Sequence, residues 1–336
     1  MTAKIHFLPS DHEFPAEPQE TLLEAALRAG LAPSYRCSNG SCGQCRARVV
    51  SGRLGEVRFH DYVISEQDKA QGTFLMCSAH AAEDLVIEAH EAGGVGDIPH
   101  QQVTTRVNKI ERLGNDLLVL HLRTPRNQTL RFLAGQHVSM EIPGLTPRNK
   151  SIASCPCNAM HLQFHIRRTP GDPFADYIFN QLHLNQPVAL SGPYGNFTLD
   201  EQAGRPLILL AYETGFAPIK SLIEHAIALE FAQVMHLYWV VRRAGEHYLE
   251  NYCRSWSDAL DDFTYTPLTG DAADSPFTTE HDFLLGGQRI VQDYPDLAGH
   301  DVYVNGPESL MEQTRDLLLA HGLPEQRLFI DYLQRF

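Results

Sequence analysis

The sequence predicts a multidomain chain: a small β-grasp unit around a cysteine loop, then an antiparallel β-barrel, then a parallel α/β unit. Three observations carry this. Four cysteines, Cys37, Cys42, Cys45 and Cys77, crowd the first quarter of the chain. Short alternating apolar segments separated by turn residues dominate 103–197, the pattern of a small barrel. From 205 onward, apolar runs alternate with amphipathic stretches of helical period, the pattern of a parallel sheet covered by helices. A chain of 336 residues has room for two or three such domains.

Composition narrows the function classes. The apolar fraction of 43% is that of a globular protein. Net charge is −14, with acidic residues spread along the chain, which argues against nucleic acid, whose phosphates demand a basic face. No stretch approaches the roughly 20 apolar residues of a membrane span, and the start, Met-Thr-Ala-Lys-Ile-His-Phe, lacks the apolar core of a secretory signal. A cytoplasmic location is expected. Seven cysteines, four of them at ligand-like spacing, point in such a compartment to metal binding rather than disulfides.

The first element is a strand pair, 3–8 and 14–16. Thr21-Leu-Leu-Glu24 reads as a capping box opening a helix that ends near Gly30. The loop follows: Tyr-Arg-Cys-Ser-Asn-Gly-Ser-Cys-Gly-Gln-Cys over 35–45, a C-x4-C-x2-C pattern with Cys77 another 32 residues on. This is the plant-type [2Fe–2S] spacing. A structural zinc site would more commonly pair its ligands as two knuckles; here three cysteines share one loop and the fourth stands alone. Several negative charges in a small volume call for inward backbone N–H groups and small side chains. Gly40 and Gly43 permit the backbone angles that wrapping requires. Arg46–Val50 and Leu85–Glu88 read as later strands. Together these elements resemble plant-type ferredoxin domains over roughly residues 1–90.

Glu91-Ala-Gly-Gly-Val-Gly-Asp-Ile-Pro99 reads as a linker, giving expected domains at 1–91, 101–202 and 203–336 with 92–100 between them. Beyond it, 116–122, 137–142 and 162–167 are strand-like. In the third domain, Leu207–Tyr212 is a buried strand. It leads into a helix with apolar face Ile219, Leu222, Ile223, Ala226 and Ile227. Met235–Val241 and Asp301–Val304 are further strands, and a helix beginning at 306–311 stops near Gly322.

Ordered motifs here resemble the ferredoxin–NAD(P)⁺ reductase superfamily. Phe132-Leu-Ala-Gly-Gln-His137 looks like its entry strand. Arg148-Asn-Lys-Ser151 stands where its Arg-x-Tyr-Ser flavin motif is expected, and His165-Ile-Arg167 matches a second flavin segment. Gly171–Tyr177 matches the start of a diphosphate-binding helix. Thr214, Gly215 and Pro218 match a Thr-Gly-x-x-Pro element, and Asn305-Gly-Pro307 a Cys-Gly-Pro element. The resemblance implies an FAD barrel and a Rossmann-like NAD(P)-binding domain. It implies that Arg148, Asn149, Lys150, Ser151, His165, Ile166 and Arg167 face FAD, with backbone N–H groups at Phe174 and Ala175 on its diphosphate. Thr214, Gly215, Arg242, Arg243, Asn305, Gly306 and Pro307 would face NAD(P)H. NADH is favoured over NADPH by the resemblance. No residue is assigned with certainty to catalysis.

Three positions depart from the family pattern. Lys150 stands where an aromatic residue stacks on the flavin. Tyr212 and Glu213 replace two glycines, so a side chain and a negative charge are expected beside the dinucleotide diphosphate. Asn305 replaces a thiol. Efficient hydride transfer is therefore less certain than the fold.

Cys155 and Cys157, flanking Pro156, are read as buried free thiols rather than a redox pair, and Cys253 as a core thiol. No His-x-x-x-His cluster with acidic partners appears, so a second metal site is not expected. The acidic stretches 258–262 and 271–282 are read as solvated loops.

Taken whole, the chain resembles the bacterial iron–sulfur flavoprotein reductases, including oxygenase reductase components. It also resembles CDP-6-deoxy-3,4-glucoseen reductase-like proteins through Gly96–Pro99, Gly215–Lys220 and Gly322–Glu325. That resemblance implies electron flow from NAD(P)H to FAD to the cluster to an oxygenase or deoxygenating protein partner, in a monomer. The alternative reading is an electron-transfer or regulatory docking protein that keeps the cluster while its flavin and nicotinamide site has decayed.

Overall fold

The computed structural model describes residues 2–158, 160–231, 233–270 and 280–333; of the acidic stretch expected as a loop over 271–282, 271–279 lies outside them and 280–282 belong to a helix instead. In the first unit, strands β1 (Ala3–Leu8) and β2 (His12–Ala16) form a hairpin, followed by α1 (Leu22–Arg28). Then come β3 (Arg46–Ser51), β4 (Leu54–Val57), α2 (Glu66–Ala70), β5 (Thr73–Leu75), β6 (Ala79–Ala81) and β7 (Leu85–Glu88). The main sheet runs β2-β1-β7-β3-β5, with β4 and β6 as a separate pair. β1 and β7 are parallel, the other neighbours antiparallel: the β-grasp arrangement. The capping box is formed as expected, with Thr21 accepting from the Glu24 N–H and Glu24 accepting from the Thr21 N–H. Leu22, Leu23, Ala25 and Ala26 bury one face of α1 against Ile5 and Phe7.

The second unit comprises β8 (Gln101–Arg112), β9 (Leu117–Arg123), β10 (His137–Glu141), β11 (Arg148–Ser151), β12 (His161–Arg167), α3 (Pro173–Asn180) and β13 (Pro187–Tyr194). Its order is β11-β10-β13-β8-β9-β12, antiparallel throughout. The Ala153 N–H, just after β11, donates to the Gln163 carbonyl on β12 at 2.8 Å, drawing the two edge strands together into a barrel-like sheet around Val138, Met140, Phe164 and Ile166.

The third unit comprises β14 (Leu207–Tyr212), α4 (Phe216–Ala228), β15 (Met235–Val241), α5 (Glu250–Ala259), β16 (Phe263–Thr269), α6 (Glu280–Asp293), β17 (Asp301–Pro307), α7 (Glu308–Ala320) and β18 (Leu328–Leu333). All five strands are parallel, ordered β16-β15-β14-β17-β18. Successive side chains of a strand face opposite ways. Leu207, Leu209 and Ala211 therefore pack with α4 and α5 residues such as Ile219, Leu222 and Trp256. Ile208, Leu210 and Tyr212 pack on the other face with Ile290, Leu310 and Met311 of α6 and α7. The sheet is doubly wound. The first face also holds Ala134 and Phe197 of the second unit, so α4 lies at the junction between barrel and α/β sheet.

Two expectations are corrected. Cys155 and Cys157 are joined in a disulfide rather than being free thiols. Asp258 belongs to α5 rather than to a loop.

Candidate functional site

The loop 35–45 brings Cys37 and Cys42 together, while Cys45 meets Cys77 from the chain just beyond β5. In each pair the two thiols are in hydrogen-bonding contact. Burial pushes Cys37 up, but the Asn39 N–H, the Ser41 hydroxyl and Cys42 outweigh it and bring it down to about 7. Cys45 brings Cys77 down to about 6, aided by Ser78 and the Gly40 N–H against the opposing effect of burial. Burial pushes Cys42 up, and Cys77 with burial pushes Cys45 up, so each pair divides into one thiol that gives up its proton readily and one that keeps it. Among the described residues, no three of these four sulfurs lie within 4.8 Å of one another. A single tetrahedral zinc would need all four that close; two pairs set apart suit two irons.

Glycine makes the wrap possible. Gly40 and Gly43 have φ of 78° and 72°, in the region disfavoured for other residues. A Cβ on Gly43 would lie 2.3 Å from the Tyr62 ring, and one on Gly40 2.5 Å from His60 Cβ. The segment between β4 and α2 therefore lies directly over the cysteine loop.

The loop is also fastened to the barrel unit. The Ser38 N–H donates to the Arg126 carbonyl at 3.0 Å, and the Thr129 N–H to the Arg36 carbonyl at 3.1 Å. The Arg131 guanidinium sits 5.8 Å from the Tyr35 ring centre. These contacts join residues adjacent to Cys37 to segment 126–131.

On β11, Arg148, Asn149, Lys150 and Ser151 are all half-buried. Arg148 reaches Asp172 at 3.6 Å. The Lys150 Nζ lies 5.7 Å from the centre of the Phe174 ring. Burial brings Lys150 down to about 8, with Asp172 opposing and Arg148 reinforcing the shift. Two cations thus share one neighbouring carboxylate. The residual positive charge suits an anionic diphosphate, so these residues fit FAD. The Phe174 N–H, expected to face phosphate oxygens, donates instead to the Asp172 side chain at 3.1 Å, because Asp172 caps α3. Phe174 and Ala175 are themselves buried.

The second predicted flavin segment divides. The Ile166 side chain is wholly inside the barrel core. His165 is buried, hydrogen-bonded to the Tyr248 hydroxyl at 2.8 Å and stacked on Phe216; burial, then Lys220 and His121, hold it well below its usual range. Its ring therefore belongs to an aromatic cluster joining barrel and α/β sheet. Arg167 reaches Asp116 at 2.6 Å and Glu213 at 2.7 Å.

At the end of β14, the expected clash and repulsion are corrected. Tyr212 turns into the α6–α7 face, its hydroxyl 3.3 Å from that of Thr314. Added Cβ atoms at Gly306 and Gly286 would come within 2.7 and 3.0 Å of its ring and hydroxyl, so those glycines make room for it. Glu213 keeps a left-handed φ of 54° and is only 3% exposed. Its carboxylate forms an ion pair with Arg167 and accepts from the Arg242 N–H at 2.9 Å, and the Arg242 Nε lies 3.6 Å away. Burial pushes Glu213 up and the two arginines pull it back. Its charge is therefore matched from both sides rather than left facing a diphosphate.

Thr214 is half-buried, and Gly215 is pressed on β17: a Cβ there would lie 2.4 Å from the Asn305 carbonyl oxygen. Asn305 is fully buried and donates from Nδ2 to Asp331 at 2.9 Å. Burial pushes Asp331 up to about 6, against the Tyr332 N–H and Asn305. Gly306 and Pro307 continue β17, and Arg243 is exposed just past β15.

Sequence reasoning missed Asp172, Asp116, Tyr248, Lys220 and Glu224. Buried Lys220 on α4 donates to the Ala153 carbonyl at 3.1 Å and to Glu224 at 2.6 Å. Asp172 stands inside the Gly171–Tyr177 motif and Lys220 interrupts the apolar face of α4, which were the available signals; Asp116, Tyr248 and Glu224 belong to no local motif.

Comparison with known proteins agrees with this arrangement. Residues 5–82 match the 2Fe-2S iron-sulfur cluster binding domain, 104–199 the oxidoreductase FAD-binding domain, and 209–316 the oxidoreductase NAD-binding domain. The CDP-6-deoxy-L-threo-D-glycero-4-hexulose-3-dehydrase reductase of Yersinia pestis is 31% identical over 332 residues, 98% of each chain. This chain belongs to the iron–sulfur flavoprotein reductases. The reductase component of propane 2-monooxygenase from Gordonia sp. (strain TY-5) is 30% identical over 98% of this chain and 96% of that one. An Amycolatopsis cytochrome P450 reductase superposes with a TM-score of 0.63 at 25% identity, covering 98% of both chains. As an iron–sulfur flavoprotein reductase, the chain is an oxidoreductase that moves electrons from NAD(P)H through FAD and a [2Fe–2S] centre to a partner enzyme. Among the described residues, no helix is long and apolar enough to cross a membrane.

Proposed function

We propose that this reductase oxidises NADH and serves an oxygenase or a sugar-deoxygenating enzyme, acting as a cytoplasmic monomer with domains at 1–91, 101–202 and 203–336. The attachment of the cysteine loop to the barrel through Ser38–Arg126 and Arg36–Thr129 carries the reading. It keeps the one-electron centre against the flavin domain without a mobile tether. FAD supplies the exchange between a two-electron donor and a one-electron centre.

The chain's own residues then have defined tasks. Cys37 and Cys42 hold one iron, Cys45 and Cys77 the other. Arg148 and Lys150 neutralise the flavin diphosphate, while Asn149 and Ser151 offer hydrogen bonds from the alternate side of β11. Thr214 and Gly215 meet the nicotinamide dinucleotide where β14 ends, with Arg243 exposed toward its adenosine half. Asn305, Gly306 and Pro307 line the end of β17, and Gly215 keeps that approach close. Exposed Phe59 and Val63, 90% and 84% accessible, flank Tyr62 over the cysteine loop and offer the acceptor an apolar landing beside the cluster.

Anaerobic mixing with NADH tests the reading. Bleaching of flavin absorbance within seconds, followed by the electron paramagnetic resonance signal of a reduced cluster, is expected. No bleaching at millimolar NADH rejects it. The second reading, a docking protein with a decayed nicotinamide site, is favoured by the engagement of Arg242 with Glu213 and of Asn305 with Asp331. It requires a reduced partner protein, and not NADH, to reduce the cluster.

A further inference from the structure

The disulfide-linked Cys155 and Cys157 lie in the loop between β11 and β12, where all three domains meet. The turn Pro156–Asn158 packs against α1 of the ferredoxin domain and α4 of the nicotinamide domain. α4 holds this loop by several bonds: Lys220 to the Ala153 carbonyl, Ser221 to the Ser154 carbonyl at 2.8 Å, and the Cys155 N–H to Glu224 at 3.1 Å. One turn further along α4, His225 places a ring nitrogen beside the two sulfurs. The three ligand atoms all lie within 4.8 Å of one another, the only such group among the described residues.

His225 is prepared for a ligand. It is 3% exposed. Its Nε2 donates to a Glu201 carboxylate oxygen at 3.0 Å, which leaves Nδ1 as the nitrogen that can meet a ligand. Nδ1 is buried with no hydrogen-bond partner among the described residues, a costly arrangement unless something binds there. A carboxylate behind a histidine whose other nitrogen is bare is the usual support of a metal-ligating imidazole. The Cys157 N–H donates to the Cys155 sulfur at 3.1 Å, a contact that steadies a thiolate.

We propose that Cys155, Cys157 and His225 form a redox-gated site for a thiophilic cation, zinc(II), stapling the flavin domain to the nicotinamide domain. Two sulfurs and one imidazole suit zinc and disfavour magnesium or calcium. In the disulfide form the sulfurs are neutral and the site is closed. A small-molecule thiol reductant opens it: two thiols become one disulfide, and their two electrons and two protons convert the Cys155–Cys157 bond into two thiols. Zinc then forms two Zn–S bonds and one Zn–N bond, the two thiol protons leave to water, and water fills the fourth position.

The test uses the full chain with cluster and FAD in place, since emptied cluster cysteines would themselves take zinc. The protein is reduced anaerobically with a phosphine, given excess zinc, desalted, and assayed for zinc and iron per chain. One zinc per chain is expected in the reduced protein and none in the unreduced protein, and excess magnesium should leave the zinc count unchanged. Cys155→Ser/Cys157→Ser should lose the zinc while keeping its iron. Cys157→Ser alone serves if the double variant folds poorly, since Cys157 is half-exposed. Glu201→Gln should weaken zinc binding about tenfold in chelator competition. Zinc retained equally by the serine variants, retained equally without reduction, or absent from the reduced parent protein would each overturn the proposal.

Discussion

The Glu213 carboxylate and the Arg167 guanidinium meet at 2.7 Å across the boundary between the flavin and nicotinamide domains. Glu213 holds a left-handed backbone angle at a position where the resembled family carries glycine. Such an angle costs a non-glycine residue about 1 kcal/mol or more. Arg167, reaching across from the flavin domain, offsets that cost together with Arg242 and the Trp239 indole of the same domain, which donates to the Glu213 carbonyl at 3.0 Å.

Replacing Glu213 with glutamine should therefore lower stability by roughly 1–3 kcal/mol, less than for full burial because Arg242 is partly exposed. Chemical unfolding followed by tryptophan fluorescence checks this, since both tryptophans, Trp239 and Trp256, lie in the nicotinamide domain. Glu213→Gly should lose less, because glycine accepts the angle. By releasing Arg242 it should also tighten NADH binding. A glutamine variant as stable as the parent would remove the ion pair from the account.

Gly43→Ala should purify with little cluster. The added methyl would meet the Tyr62 ring at 2.3 Å, on a backbone angle of 72°. Adding Tyr62→Ala clears the space but not the angle, so iron content should recover only in part. Full recovery would mean that the backbone angle is unimportant.

Lys150 sets a pH dependence. Folding brings it down from 10.5 to about 8, so its charge disappears above that pH. The affinity of flavin-depleted protein for FAD should fall between pH 7 and 9, and Lys150→Met should flatten the profile. Stability runs the other way: the unfolded chain holds this proton more tightly, so stability gains as pH rises from about 8 toward 10.5. An FAD affinity that stays level across this range would contradict a cation at the flavin.

Asp331 gives the opposite sign. Burial raises it from 3.8 to about 6, so the folded state binds the proton more tightly and stability falls as pH rises through that window. Asp331→Asn keeps an acceptor for Asn305 and should stabilise the protein at pH 7 by on the order of 1 kcal/mol, discounted for partial exposure. The gain should vanish below pH 4. A gain of equal size at pH 3.5 would show a cause other than ionisation.

Phe59→Ser should slow reduction of the protein acceptor while leaving ferricyanide reduction by NADH unchanged. Phe59 is exposed and touches the cysteine loop only through its neighbours. Equal loss with both acceptors would place the defect inside the reductase.

Local features were legible in the sequence because their signals are local. The spacing of Cys37, Cys42 and Cys45, the Thr21–Glu24 capping box and the unbroken apolar run of β14 each specify structure within a few residues. Short, weakly alternating elements such as β4, β6 and β16 were not read, since they carry little periodicity. What only the tertiary structure decided depends on residues far apart in the chain. Read alone, Glu213 is a charge where a diphosphate belongs; folding gives it Arg167, 46 positions earlier, and Arg242. Tyr212 loses its expected clash because Gly286 and Gly306 yield space. Cys155 and Cys157 acquire His225 because α4 packs on the loop that carries them. Spacing encodes what the backbone does next; which charges and ligands finally meet is set by packing between domains.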